Sequence, residues 1–390
     1  MRTFISLVGV AFAVLLVFMQ LGFLDAVVRT ASLLYDQLNF DLLLVSSEYN
    51  NMARPGAFPR RRLAQASADE AVQRTLPLTA MLGFWRDPRP RPDETATGRD
   101  KPHPRWSILV LGVEPSTLDQ VFARPVGTIF PTAQQMETDR AKLSRLTTVL
   151  MDLKSRAEYG DPATWKPTFL HELNGRRVEV ADTITVGTGF AYNGLVLTSE
   201  ASLSVLLGWP EHLVSFGLIQ LAPGTDPLQV RERLRERLGG PQSDVLIYTR
   251  SEINNREETF WLNGTAVGQF FFAGVIIALL VGAVFVYQMM ATDIARRLPE
   301  YATIRAMGYP GSFLTRVVFW QGLLLALIGY IPGLLLALAG YELTAANASI
   351  PIGMTGTRLG SVLLMTVIMC MASAAVAVRA AHRANPADLF

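Results

Sequence analysis

The chain has 390 residues, half of them hydrophobic and 17% charged, whereas a soluble domain carries about a quarter charged residues, so lipid must solvate part of it. Its 35 basic side chains are scattered and the formal net charge is only +2, which argues against nucleic acid as a partner. A single cysteine, Cys370, lies in an apolar run and reads as a small buried hydrophobe, so a disulfide framework and multi-cysteine metal sites are excluded, and His103, His171, His212 and His382 never reach ligand spacing, so no metal is assigned.

A helix needs about 20 consecutive apolar residues to cross a bilayer core. The first such run, residues 4–24, exceeds the roughly 7 to 15 residues of a signal-peptide core and lacks a small-x-small cleavage site. It is expected to stay as a span. Residues 25–39 carry apolar positions at Ala26, Val27, Leu34 and Leu38, predicting an amphipathic continuation, a stalk over 25–40. From Asp41 the composition is that of a soluble domain. Strands are predicted at 41–46 (DLLLVS) and 106–113 (WSILVLGV), a helix at 65–73, and proline-rich connections at 87–92 and 101–104. Residues 176–198 alternate β-branched and polar side chains between glycines and read as a separate antiparallel β piece, so two subdomains are expected. Residues 218–221, 226–238 and 244–248 predict a β-α-β unit whose helix opens on Asp226 and Pro227 and closes at Gly239 and Gly240, giving an α/β sandwich of ferredoxin-like type.

Three more apolar runs follow, at 267–292, 317–341 and 359–378. Between the first two, Arg296, Arg297, Arg305 and Arg316 mark a cytoplasmic segment, as Arg379 and Arg383 do after the last, whereas residues 342–358 carry one basic group. Both termini are therefore expected inside and the large domain outside. Gly322, Gly329, Gly333, Gly340 and Pro332 in the third span read as close helix packing or a local kink, and Gln20, Gln288 and Gln321 as groups facing another helix or the headgroup region.

Motifs with chemistry are scarce. The chain has no P-loop and no nucleophile elbow; GTG (187–189) and GMTG (353–356) lack a strand-then-helix context. Asp152, Glu158, Asp161, Glu257 and Glu258 stand in no catalytic spacing and read as solvated surface. Arg60, Arg61 and Arg62 form a basic run that can meet lipid headgroups, a partner protein or water, and its role stays open. In the cytoplasmic segment, Pro299 suits a first helical turn, Tyr301, Ile304 and Met307 share a face, and Gly308 precedes Pro310. A short separate helix results. Its apolar face calls for a protein to dock on, the alternative being a helix lying on the inner leaflet.

The order of spans, the outer domain after the first span and the string EYATIRAMG (300–308) resemble the ABC exporter permeases of the MacB and FtsX type, the type VII ABC transporters. Within that group, VFMQLGFLD (17–25), FPRRRL (58–63), RAEYG (156–160), LNGRR (173–177), LPEYATIRAMGY (298–309) and NPADLF (385–390) resemble DevC-type permeases. The resemblance implies an α-helical membrane protein with four transmembrane helices, one before and three after a large periplasmic α/β domain with porter-like and sabre-like subdomains. It divides the chain into a first transmembrane helix (1–24), stalk (25–40), periplasmic domain (41–258), stalk and second helix (259–292), cytoplasmic loop (293–316), third helix (317–341), short periplasmic loop (342–358), fourth helix (359–378) and cytoplasmic tail (379–390).

By the same resemblance Glu300, Tyr301, Ala302, Thr303, Ile304, Arg305, Ala306, Met307 and Gly308 form a coupling helix seated on a separate ABC ATPase subunit (DevA-like), which binds the ATP and magnesium. The chain itself is expected to hold no cofactor and to catalyse nothing. The further partners implied are a periplasmic membrane-fusion adaptor (DevB-like), a TolC-like outer-membrane channel and a second permease copy, in a bacterial inner membrane, with glycolipid as the associated cargo. Two other roles share this topology: an FtsX-like regulator of periplasmic cell-wall hydrolases and a lipoprotein-extracting permease.

Overall fold

The N-terminal apolar run folds as helix α1 (Arg2–Ala31), the first of four helices among the described residues that are long and apolar enough to cross a membrane. The coordinates, a computed structural model, describe residues 2–87, 104–160, 170–189, 191–240, 243–307, 310, 312–348 and 352–383. The proline-rich residues 88–92 and 101–103 lie outside the described residues, as do Asp161 and 384–390. The chain divides into one unit of Val27–Trp261 and another of Met1–Ala26 with Leu262–Phe390.

In the first unit the predicted stalk is helical but interrupted: α1 ends at Ala31 and α2 (Leu33–Gln37) restarts after Ser32. Then come β1 (Leu42–Ser46), β2 (Phe58–Pro59), α3 (Arg61–Ala66), β3 (Val72–Arg86), β4 (Trp106–Val113), α4 (Leu118–Val121), α5 (Ala133–Leu143) and β5 (Thr148–Asp152). They are followed by β6 (Leu170–Leu173), β7 (Arg176–Ile184), β8 (Leu195–Ser199), α6 (Glu200–Leu207), β9 (Leu213–Val214), β10 (Phe216–Leu221), α7 (Pro227–Arg237) and β11 (Val245–Thr249).

Among the described residues nine strands join in the order β11-β1-β10-β3-β4-β8-β5-β7-β6, and β6 also pairs with β3. The 15-residue β3 makes this possible, because its first half pairs with β10 and its second half with β4, its last two residues reaching β6. It is thus shared by a four-stranded antiparallel sheet and a closed ring of six strands. The sequence did not announce it, since no period-2 alternation runs its length. The β-α-β unit is as predicted, with β1 inserted between β10 and β11, antiparallel to both. Asp226 caps α7 by accepting from the Leu228 amide at 3.0 Å.

Two expectations are corrected. Residues 176–198 are not a separate antiparallel piece: β7 and β8 belong to the common sheet, and β5 lies between them, parallel to β7. Alternation marks a strand but does not choose its neighbour, which is set by non-local burial. The helix predicted at 65–73 lies instead at Arg61–Ala66, because Asp69 turns the chain, accepting from the Ala71 amide at 3.1 Å and pairing with Arg233 at 3.2 Å.

The central strands are buried on both faces. Leu43 and Val45 enter one core with Phe216 and Leu111, while Leu42 and Leu44 pack with Leu63, Val230 and Leu234 of α3 and α7. That double burial is why β1 reads as a continuous apolar run. Helix α8 (Arg250–Asn263) follows β11.

In the second unit, α9 (Ala266–Ala306), α10 (Ser312–Ala348) and α11 (Gly356–Arg383) pack with α1. The glycines of α10 let α1 approach closely: a Cβ on Gly329 would stand 2.6 Å from a Val10 methyl, and one on Gly333 2.7 Å from the Ala11 carbonyl oxygen. Pro332 lies inside α10. Arg358, buried in the first turn of α11, pairs with Asp25 at 2.6 Å and donates to the Gly353 carbonyl at 2.7 Å. That ion pair sets the outward end of α1 beside the start of α11, as the one-plus-three order of spans requires.

Candidate functional site

The coupling segment forms no separate helix. Helix α9 runs without a break from Ala266 to Ala306, so residues 293–306, expected in a loop, continue the second span. The only stop signal was Pro299, which removes one backbone donor, and the flanking alanines, arginines, leucine and methionine favour helix strongly enough to carry it through. Glu300 and Thr303 are exposed, Ile304 is half-buried, and Met307, whose amide bonds to the Thr303 carbonyl at 3.1 Å, is 66% exposed. The side chains of Tyr301, Ala302, Arg305 and Ala306, and all of Gly308, lie outside the described residues. What the structure adds is continuity. A stiff rod of about 60 Å, at 1.5 Å per residue, connects the exposed Met307 end to the far end of the span.

The FPRRRL string has a structural account in the Val27–Trp261 unit. Phe58 and Leu63 are core residues beneath the sheet. Arg60 binds the Glu200 carboxylate, and Arg62 pairs with Asp244 at 2.6 Å. These bridges hold α3 to the start of α6 and to the segment before β11. Arg61 remains exposed.

A second arrangement was missed in the sequence. Arg250, at the start of α8, donates to the carbonyls of Tyr35 (2.5 Å), Leu38 (2.9 Å) and Phe40 (2.9 Å) and lies 4.2 Å over the Phe40 ring. One guanidinium thus caps the end of α2 and the segment leading into β1. Two turns further on, Glu257 accepts from the Tyr49 hydroxyl, which is 2.5 Å from the Tyr35 hydroxyl. Arg256 donates to the Tyr49 carbonyl at 2.9 Å and to the Tyr248 hydroxyl at 2.9 Å. The incoming chain (35–49) and the outgoing helix α8 are clamped together.

Glu257, read from sequence as surface, is fully buried. Removal from water pushes its carboxyl up to about 7, against the pull of the Tyr49 hydroxyl, the Met52 amide, Trp261 and Arg256. Burial likewise raises the Tyr35 and Tyr49 hydroxyls well above their usual value. Asp152 is a second correction. It is buried, accepts from the amides of Lys154, Val186 and Gly187 at 3.1, 3.1 and 2.8 Å, and has its carboxyl raised by desolvation. A lone acidic residue carries no local signal that distinguishes such a buried acceptor from surface.

Among the described residues no group of three or more His, Cys, Asp or Glu is placed to hold a metal. Two clefts, of about 340 and 470 Å³, flank β11 and α8 respectively, and neither is lined by a histidine or a cysteine. The chemistry on view is that of ion pairs and caps joining elements.

Residues 272–386, from α9 to the C-terminal end of the chain, match the family of FtsX-like permease C-terminal domains. None of the curated proteins matches the chain. Among solved structures, the extracellular domain of a noncanonic ABC-type transporter, YknZ from Gram-positive bacteria, is 13% identical, covering 54% of this chain and 99% of its own, with a TM-score of 0.34. The periplasmic region of MacB from Actinobacillus actinomycetemcomitans is 11% identical, covering 57% of this chain and 94% of its own, with a TM-score of 0.37. Superpositions this loose carry no weight for function.

Proposed function

We propose that the chain is the permease subunit of an ATP-driven exporter, taking force from a separate ATPase at the end of α9, around residues 300–307, and passing it to the α/β domain outside the membrane. The match of residues 272–386 to FtsX-like permease domains carries this reading, and the unbroken α9 supports it, since a rigid helix transmits displacement along its axis. The clamp adds to it: Arg250 and Glu257 make the segments entering and leaving the α/β domain a single body. In this reading the chain hydrolyses nothing, a second permease copy completes the assembly, and an adaptor and outer-membrane channel receive an amphipathic cargo of the glycolipid kind.

The test is capture of the ATPase. Met307→Glu, on an exposed side chain, alone and with Ile304→Glu, is expected to abolish co-purification of the ATPase while the permease stays monodisperse in detergent. Undiminished capture by the double variant would remove the coupling role. Retrieval of a cell-wall hydrolase in place of an adaptor would favour the regulatory role instead.

A further inference from the structure

The nine-stranded sheet closes on itself through the β3–β6 pairing, so among the described residues β11 is its one open edge. An open edge presents unpaired backbone groups, and proteins commonly blunt it with lysine, proline or a bulge. Val245–Thr249 (VLIYT) carries no lysine and no proline, and its pairing with β1 runs without a register shift. The Ser47 amide donates to the Asp244 carbonyl at 2.9 Å, which sets the alternation along the ladder: Leu246 and Tyr248 bond to β1, while Val245, Ile247 and Thr249 turn their amides and carbonyls away from it. The two end amides are satisfied locally, Val245 donating to the Ser243 hydroxyl at 3.2 Å and Thr249 to the Glu252 carboxylate at 2.9 Å. Among the described residues nothing bonds to the outward amide and carbonyl of Ile247, at the centre of the strand.

The space beside this strand is the cleft of about 340 Å³, lined by Leu246, Ile247 and Tyr248 of β11, Arg231 and Arg235 of α7, and Glu252. Val245 and Ile247 pack on the α7 side with Val230 and Leu234, and Leu246 and Tyr248 on the opposite face. Arg231 binds the carboxylates of Glu232 and Glu252, which neutralises the acid in the cleft. Arg235 is exposed and forms no ion pair among the described residues, so the cleft keeps one positive charge to spare. We infer that β11 is the docking edge for an extended segment of a partner protein, added as a further strand that exchanges both hydrogen bonds with Ile247 and sets an acidic side chain against Arg235. Residues directly opposed on neighbouring strands share a face, so the residue opposite Ile247 stands on the α7 side, beside that arginine. In this mode the backbone bonds supply affinity and the side chains select the sequence. A second copy of this chain fits poorly, because antiparallel pairing of β11 with itself would bring Arg231 and Arg235 of one α7 against the same arginines of the other. The edge, the cleft and the arginines all belong to the Val27–Trp261 unit, and the inference does not depend on the exporter reading.

The test pans a phage library of short random peptides against the full-length protein in nanodiscs, with Ile247→Pro as the counter-selection target. Proline removes the outward amide and no bond to β1, and an edge strand tolerates it at such a position. Enriched peptides are synthesised with a fluorophore and titrated by anisotropy against the parent and the variants. They are expected to alternate apolar residues, to carry an aspartate or glutamate, and to lose binding to Ile247→Pro. Arg235→Glu, on an exposed side chain outside the cores, gives an independent arm and should weaken them by about tenfold. Undiminished binding to Ile247→Pro, or peptides without an acidic residue that ignore Arg235→Glu, would overturn the docking edge. So would a parent that enriches no peptide, or a dimer of the parent that Ile247→Pro dissociates in sedimentation, since a second copy would then hold the strand.

Discussion

Glu257→Gln tests the clamp at its most sensitive point. The side chain is fully buried, and its carboxyl rises from an ordinary 4.5 to about 7, a difference worth about 3 kcal/mol at 1.36 kcal/mol per pH unit. The folded state holds this proton more tightly than the unfolded chain does, so the contribution to stability is complete below pH 4.5 and is lost as pH rises through 7. Glutamine keeps an acceptor for the Tyr49 hydroxyl and never ionises. The variant is therefore expected to match the parent at pH 4 and to exceed it by about 3 kcal/mol at pH 8. Guanidinium unfolding of the full-length protein in detergent, followed by tryptophan fluorescence with Trp261 one turn beyond Glu257, measures both. Parallel pH dependences in parent and variant would refute the assignment of a buried proton to this site.

Other perturbations separate the remaining contacts. Arg250→Ala should cost about 3 kcal/mol in urea unfolding, because three buried carbonyls each lose a donor, and Arg250→Lys should recover only part of it, an ammonium having no planar fork. Gly333→Val should lower the thermal stability of the detergent-solubilised protein by about 1–3 kcal/mol through overpacking against Ala11 and Val14, whereas Gly353→Ala, with open space around it, should be silent. Arg358→Met should cost about 2 kcal/mol, less than the roughly 3–5 of a fully buried pair because Asp25 is one-third exposed, and the double change with Asp25→Leu should recover most of that loss.

The spans were legible because lipid imposes a length and an apolarity that no other environment demands, and the described helices extend each predicted run at one or both ends. The β-α-β unit was equally plain, since Asp226, Pro227 and Gly239 are local signals that a helix reads within one turn. Pro299 misled for the same reason: as a local signal it predicted a break, and the neighbouring residues outweighed it in α9. The basic run at 60–62 gave no reading, because its partners Glu200 and Asp244 are far along the chain.

The sequence by itself determined which segments meet lipid, in what order they come, and that an α/β domain interrupts them, because each follows from local composition and period. Only the tertiary structure decided that β3 is shared by two halves of one sheet, that Arg250 and Glu257 bind the incoming chain to α8, and that Asp152 fastens two loops together. Each of those rests on groups far apart in sequence, whose burial and hydrogen bonds exist only once the chain has brought them together.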